Sequence, residues 1–195
     1  MPTNEASCGD DDDCIARCLA GEWRAFRPLV ERHAPMVHRL VARLAPDMDV
    51  EDLAHQTFVA AFEHLAQYER RARFSTWLCQ IAVNKVRDHA RAIRRCPPQV
   101  AVDDCEIMDC DADGVHIGPE RHALARERSQ VLARALAQLP VIDRELVVLH
   151  YMLDQDYRTV AGVLGISAGA AKVRGFRARR ELRRLLMREA LSHES

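Results

Sequence analysis

Apolar residues recur every three or four positions along two long stretches of the chain. In the first, Phe26, Leu29, Val30, His33, Val37, Leu40, Val41 and Leu44 form one stripe, the pattern of an amphipathic helix. Pro35 falls inside it and, lacking an N–H, is expected to kink or split that helix. Leu53, Thr57, Phe58, Ala61, Phe62 and Leu65 form a second stripe that opens on Glu51 and Asp52, acids suited to the positive end of a helix dipole. Ser75 reads as the N-cap of a third helix running to about Arg95. Its apolar side is Leu78, Ile81, Ala82, Val86, His89 and Ile93, and Trp77 is expected in the core with them. The opposite side carries Asn84, Asp88, Arg91 and Arg95 at three- and four-residue spacing.

The second stretch begins after a break. Cys96-Pro97-Pro98 ends the helical pattern, and the residues up to Gly118-Pro119 are Asp-rich and without period, the signature of a linker. Residues 120–139 then read as one helix stopped by Pro140, and Ile142, Leu146, Leu149 and Met152 mark another. A short helix from Tyr157 to Leu164, a turn Gly165-Ile166-Ser167 and a long basic helix from about Ala168 to Glu189 complete the pattern. The prediction is an all-α protein of two small helical domains joined by an acidic flexible linker. Its boundaries are an acidic N-terminal tip (1–13), a first domain (14–95), the linker (96–118) and a second domain (119–195).

Composition agrees with a soluble helical chain: of 195 residues, 48% are hydrophobic and 5% aromatic, too few aromatics for an all-β fold. No apolar run approaches the roughly 18 residues needed to span a bilayer. The N-terminus lacks the basic start and apolar middle of a secretory signal, so a cytoplasmic location is expected. The net charge of −1 hides a strong alternation. Residues 1–13 carry −5, 14–95 carry +5, 96–118 carry −6 and 119–195 carry +5. Two basic blocks flanked by acidic segments point to a polyanionic partner. Arginine supplies almost all of the 28 bases, the side chain suited to bidentate phosphate and base-edge contacts.

Tyr157 to Lys172 reads as a helix-turn-helix. Val160, Leu164 and Ile166 supply a small core, Ala161 lets two helices approach, Gly165 permits a positive φ, and Ser167 caps the second helix. Between Lys172 and Arg188 that helix carries eight bases against one acid. Such a helix fits the major groove and gains from counterion release. Its apolar residues Val173, Phe176, Leu182, Leu185 and Leu186 allow the plainer reading of a basic helix that merely packs.

The run Glu51-Asp52-Leu53-Ala54-His55-Gln56-Thr57-Phe58-Val59-Ala60-Ala61-Phe62, the run Phe74 to Asp88, and the helix-turn-helix followed by Arg177-Ala178-Arg179-Arg180-Glu181-Leu182 together resemble an extracytoplasmic-function (ECF) sigma factor, a bacterial transcription initiation subunit. The resemblance implies a protein that binds core RNA polymerase, directs it to promoter DNA, and promotes duplex opening. Asp52, Leu53, His55, Gln56, Phe58, Val59, Phe62 and Glu63 would meet the clamp helices of the polymerase large subunit. Tyr68, Arg71, Arg73, Asn84, Lys85, Arg87, Asp88 and Arg91 would melt and read the minus-ten element, the loop before Phe74 holding an extruded base. Arg158, Ser167, Ala168, Gly169, Lys172, Val173, Arg174, Arg177 and Arg179 would read the minus-thirty-five element. An anti-sigma factor, which can itself be membrane-bound, would hold the protein inactive without the protein entering the membrane.

The chain departs from the family pattern at several places. His55-Gln56 stands where the family usually has Gln-Glu or Gln-Asp, which removes a carboxylate from the polymerase contact. Ala171 and Gly175 reduce volume in the recognition helix, and Gly175 should cost about 1 kcal/mol of helix stability relative to alanine, with Phe176 expected to compensate. No catalytic triad, P-loop or paired-carboxylate site occurs, so neither an enzyme nor a cofactor is expected. Seven cysteines leave an alternative open: a stand-alone helix-turn-helix regulator responsive to metal or redox state. Its ligands would come from Cys14 and Cys18, or from Cys105 and Cys110 with His116 and His122, whereas Cys79 reads as simple core.

Overall fold

A computed structural model describes residues 8–95 and 119–192, and every regular element among them is a helix. The chain divides into two compact units. Most of the first is built from α1 (Cys8–Leu19), α2 (Arg27–Leu44), α3 (Val50–Glu63) and α4 (Phe74–Arg95). The second contains α5 (Pro119–Ala137), α6 (Val141–Val147), α7 (Tyr157–Leu164) and α8 (Ala168–Ser192). No described helix is long and apolar enough to cross a membrane.

In the first unit the apolar stripes converge as their periodicity requires. Ile15 of α1, Leu29, Val37 and Leu40 of α2, Leu53, Phe58 and Ala61 of α3, and Leu78, Ala82 and Val83 of α4 are all buried. Cys79 is fully buried among them, and that burial pushes its thiol up to about 12. The α3 helix starts where expected because the Asp49 side chain accepts a hydrogen bond from the Asp52 amide, 2.9 Å away, an N-cap in front of two first-turn acids.

Several expectations fail here for local reasons. Pro35 does not split α2, which runs unbroken through it: one missing N–H removes one ladder bond, and the buried stripe on either side holds the rest. Ser75 is not the N-cap of α4. The helix opens at Phe74, and the Arg73 carbonyl accepts from the amides of Thr76 and Trp77. The buried face of α4 is rotated toward Cys79 and Val83, leaving Ile93 exposed. Trp77 is half-buried, its ring 5.2 Å from Tyr68 and 5.7 Å from Phe74.

The acidic stretch read as an N-terminal tip is helical from Cys8, and Asp11 is buried. Its carboxylate pairs with Arg32 and lies 2.9 Å from Nε2 of the buried His33. A charge withdrawn from water needs such partners, so Asp11 fastens α1 onto α2.

In the second unit Leu136, Leu146, Leu149, Val160, Ala171, Ala178 and Leu185 form the core. The α6 helix continues as a π-helical turn, Val148–Met152. Asp156 caps α7 by accepting from the Thr159 amide at 2.7 Å. Gly165 ends that helix with φ 69°, and Ser167 Oγ accepts from the Ala170 amide at 3.2 Å to start α8.

Candidate functional site

Three surfaces collect the residues singled out in the sequence. The first is the outer face of α3, where Asp52, His55, Val59, Phe62 and Glu63 are exposed and Gln56 is half-exposed. Gln56 Nε2 donates to Asp52 at 2.7 Å, which sets the two polar groups in one orientation. Leu53 and Phe58 are buried, so these two anchor the helix and do not reach a partner. The exposed face is more apolar than its charges suggested, Phe62 being 46% exposed although its ring packs edge-on against Phe26 at 5.1 Å. Beside it lies Trp23, 64% exposed, with the Arg24 guanidinium 5.2 Å from its ring centre. Trp23, Arg24, Phe26, Arg27, Val30 and Phe62 line one open hollow. Sequence periodicity missed Trp23, because it sits in a 3-10 turn (Trp23–Phe26) outside any helical stripe.

The second surface is the loop before α4 with the polar side of that helix. Asn84, Asp88 and Arg91 are exposed, and Lys85 and Arg87 are half-exposed. Asp88 accepts from Arg91 at 3.0 Å. Loop residues Arg71 and Arg73 are exposed, and Arg71 pairs with Glu69. Tyr68 is not free to stack on a base: its ring packs against Phe74 and Trp77, and its hydroxyl donates to the Ala72 carbonyl at 2.6 Å. That bond closes the loop on itself, and Arg70 takes a positive φ of 56° at its tip.

The third surface is the helix-turn-helix. Arg158, Ser167, Ala168, Gly169, Lys172, Val173, Arg177 and Arg179 are exposed. Arg174 is the exception: its Nε donates to Asp143 at 2.9 Å, bracing α8 against α6. Phe176 does not compensate for Gly175, since it is 62% exposed and Val173 beside it is 53% exposed. Nor is Gly175 a loss of volume. A Cβ there would lie 2.7 Å from the Tyr157 ring and 2.9 Å from Leu146, so neighbouring side chains already fill the space. The inner stripe of α8 is thus Ala171, Gly175, Ala178 and Leu185, and small residues along it let the other helices of the unit come close.

Among the described residues no group of three or more His, Cys, Asp or Glu side chains is arranged to hold a metal ion. Cys14 is buried and Cys18 half-buried on α1; burial, and then the neighbouring Cys14, raises the Cys18 thiol pKa. Cys105, Cys110 and His116 lie outside the described residues, as does the side chain of His122.

Two protein families match the chain: Sigma-70 region 2 over residues 29–96 and Sigma-70, region 4 over residues 129–182. The ECF RNA polymerase sigma-E factors of Salmonella typhimurium and Escherichia coli are each 31% identical over 172 residues, covering 87% of this chain and 90% of theirs. RNA polymerase sigma factor NccH of Alcaligenes xylosoxydans xylosoxydans is 32% identical over 177 residues, covering 90% of this chain and 94% of its own. Among solved structures, CnrH in complex with the cytosolic domain of CnrY is 30% identical with a TM-score of 0.65, covering 91% of this chain and 97% of CnrH. The sigma factor RpoE of Bartonella quintana, solved with the anti-sigma factor NepR, shares the fold at 22% identity and a TM-score of 0.61, over 83% of this chain and 96% of its own.

Proposed function

The chain belongs to the ECF family of RNA polymerase sigma factors, and from that premise we propose a division of labour among its three surfaces. The outer face of α3 binds core RNA polymerase at the clamp helices of its large subunit. The loop before α4, with Asn84 and the bases beside it, engages the minus-ten element as it melts. The helix-turn-helix places the start of α8 in the major groove of the minus-thirty-five element. The bonds that polymerase makes and breaks are its own chemistry; this chain chooses the start site and opens it, working in the cytoplasm where polymerase is found. An anti-sigma factor restrains it; the sigma factor RpoE, which shares the fold, is itself found in complex with the anti-sigma factor NepR.

The observation that carries this reading is the pairing of two surfaces in one chain. A DNA-reading helix-turn-helix accompanies a separate helix whose outward face is apolar at Val59 and Phe62 and polar at Asp52, His55 and Glu63. A regulator acting alone on DNA has no need of the second. Purified chain added to core polymerase should yield initiation at specific sites in a pool of genomic promoters. No stimulation on any of them, or tight sequence-specific duplex binding without polymerase, would instead favour a stand-alone regulator.

A further inference from the structure

The acidic end of α1 reaches a part of the first unit that none of the surfaces above includes. Asp10 to Asp13 form an unbroken run of four acids. Asp11 turns inward to Arg32 and His33, and Cys14 and Ile15 are buried beside it, so the helix is fixed in place. It also packs on the 3-10 turn Leu65–Gln67, from which the loop before α4 departs. Asp12 thereby meets that loop: its Oδ1 lies 3.7 Å from Nε of Arg70. Arg70 is the loop-tip residue with φ 56°, a left-handed conformation uncommon for any residue but glycine. The loop keeps its shape without Asp12, since the Tyr68 hydroxyl donates to the Ala72 carbonyl and its ring packs on Phe74 and Trp77. The pair itself is long, with the Arg70 and Asp12 side chains 48% and 43% exposed. Such an ion pair adds little to stability and is open to exchange with another anion.

We propose that Asp12 is an internal competitor of promoter DNA: it occupies the Arg70 guanidinium until a phosphate of the melted minus-ten strand displaces it. The inference rests on the reading of this loop as the one that meets the melted strand. Single strands are held by positive groups that track their backbone, and the loop offers Arg70, Arg71 and Arg73. Arg71 is paired with Glu69, an acid of the loop itself that travels with it. The acid on Arg70 comes from another helix, and the buried Asp11 next to it keeps that helix from following the loop. Binding at Arg70 therefore breaks one carboxylate–guanidinium contact for each phosphate–guanidinium contact it makes. The net gain is a small difference. A stray single strand that touches only the loop wins little, whereas one held at the same time by Asn84, Lys85 and Arg87 of α4 carries the exchange through. Asp12 thus raises the threshold for engaging single-stranded DNA that is not a promoter.

The test uses the full chain assembled with core RNA polymerase and single-stranded oligonucleotides carrying the minus-ten region of promoters that the wild-type assembly selects, beside random-sequence strands of equal length. Asp12→Asn should tighten binding of the random strands at low salt by about two- to fivefold, the range of an exposed ion pair. The gain should fade as salt rises, and it should be smaller on the promoter strand. In an Arg70→Ala background the same substitution should change nothing, so that the double-mutant cycle assigns the whole effect to this pair. Asp13→Asn removes an equal charge from the same helix, but its carboxylate faces Arg17 at 4.0 Å, and it should leave binding nearly as it was. Asp12→Asn binding random strands no better than wild type overturns the proposal. So does a gain that persists without Arg70, or one that Asp13→Asn reproduces, since either would be the work of bulk charge. If Asp12→Asn lowers the thermal midpoint, Asp12→Ser serves in the same cycle, and a gain that again survives loss of Arg70 rejects the pair. A wild-type assembly that does not prefer the promoter strand removes both this contact and the reading beneath it. Failure confined to the variants removes the contact alone.

Discussion

Gly175 shows how far a single residue's meaning depends on its neighbours. By helix propensity alone, replacing it with alanine gains about 1 kcal/mol. With Tyr157 and Leu146 already under 3 Å from the added carbon, overpacking costs on the order of 1–3 kcal/mol. Gly175→Ala is therefore expected to lower stability in denaturant titrations of the full chain and to displace Tyr157. A higher midpoint would show that the ring moves aside freely. Other residues were legible in the sequence because their roles are local. Gly165 and Ser167 act within one turn of themselves, and both behave as expected. Gly175 was misread because what it touches is distant along the chain. Asp156 gives a second test at this scale. Its hydrogen bond from the Thr159 amide holds its carboxyl below the usual carboxylate range. A depressed acid stabilises the fold above its unfolded-state pKa, and that contribution is lost as pH falls through the folded value. Asp156→Asn should thus flatten the acid limb of the stability–pH curve, because the amide oxygen still caps α7 but no longer titrates.

At the level of elements, periodicity found α2 to α8, and on α4 it also found the outward side, where Asn84, Asp88, Arg91 and Arg95 are all exposed, but on α3 it did not. On α3 the sequence put Leu53 and Phe58 among the partner-binding residues, and both are core. Apolar residues on a helix look alike until a neighbouring helix takes one face. The exposed pair Val59 and Phe62 is the better target. Phe62→Ala and Val59→Ser should each weaken polymerase binding by about tenfold, equivalent to about 1.4 kcal/mol, with helicity unchanged by circular dichroism. Unaltered affinity in both would move the polymerase contact off α3. The α1 helix escaped notice because its acids resembled a solvated tail. Asp11→Ala removes the buried carboxylate that Arg32 and His33 share, and loss of one member of a buried pair costs about 3–5 kcal/mol. Urea unfolding of the full chain should register that loss, and a change below about 1 kcal/mol would mean that water takes the place of the carboxylate.

Over the whole molecule, charge is distributed in blocks that nearly cancel. Residues 96–118 hold six acids and no base, and replacing those acids with their amides would turn the net charge from −1 to +5. Long-range attraction to DNA follows such totals and is screened by salt. The neutralised variant should bind random-sequence duplex more tightly at low salt in the absence of polymerase, with the difference vanishing as salt rises. Equal binding at every salt concentration would show that the acidic run does not restrain the basic helices. Cys79 offers a different view of the same molecule. Its sulfur is sealed in and keeps its proton, so an alkylating reagent reaches it only during the brief openings of the first unit. The rate at which the peptide containing it gains mass is then a stopwatch on those openings, readable inside living cells where no denaturant can be added.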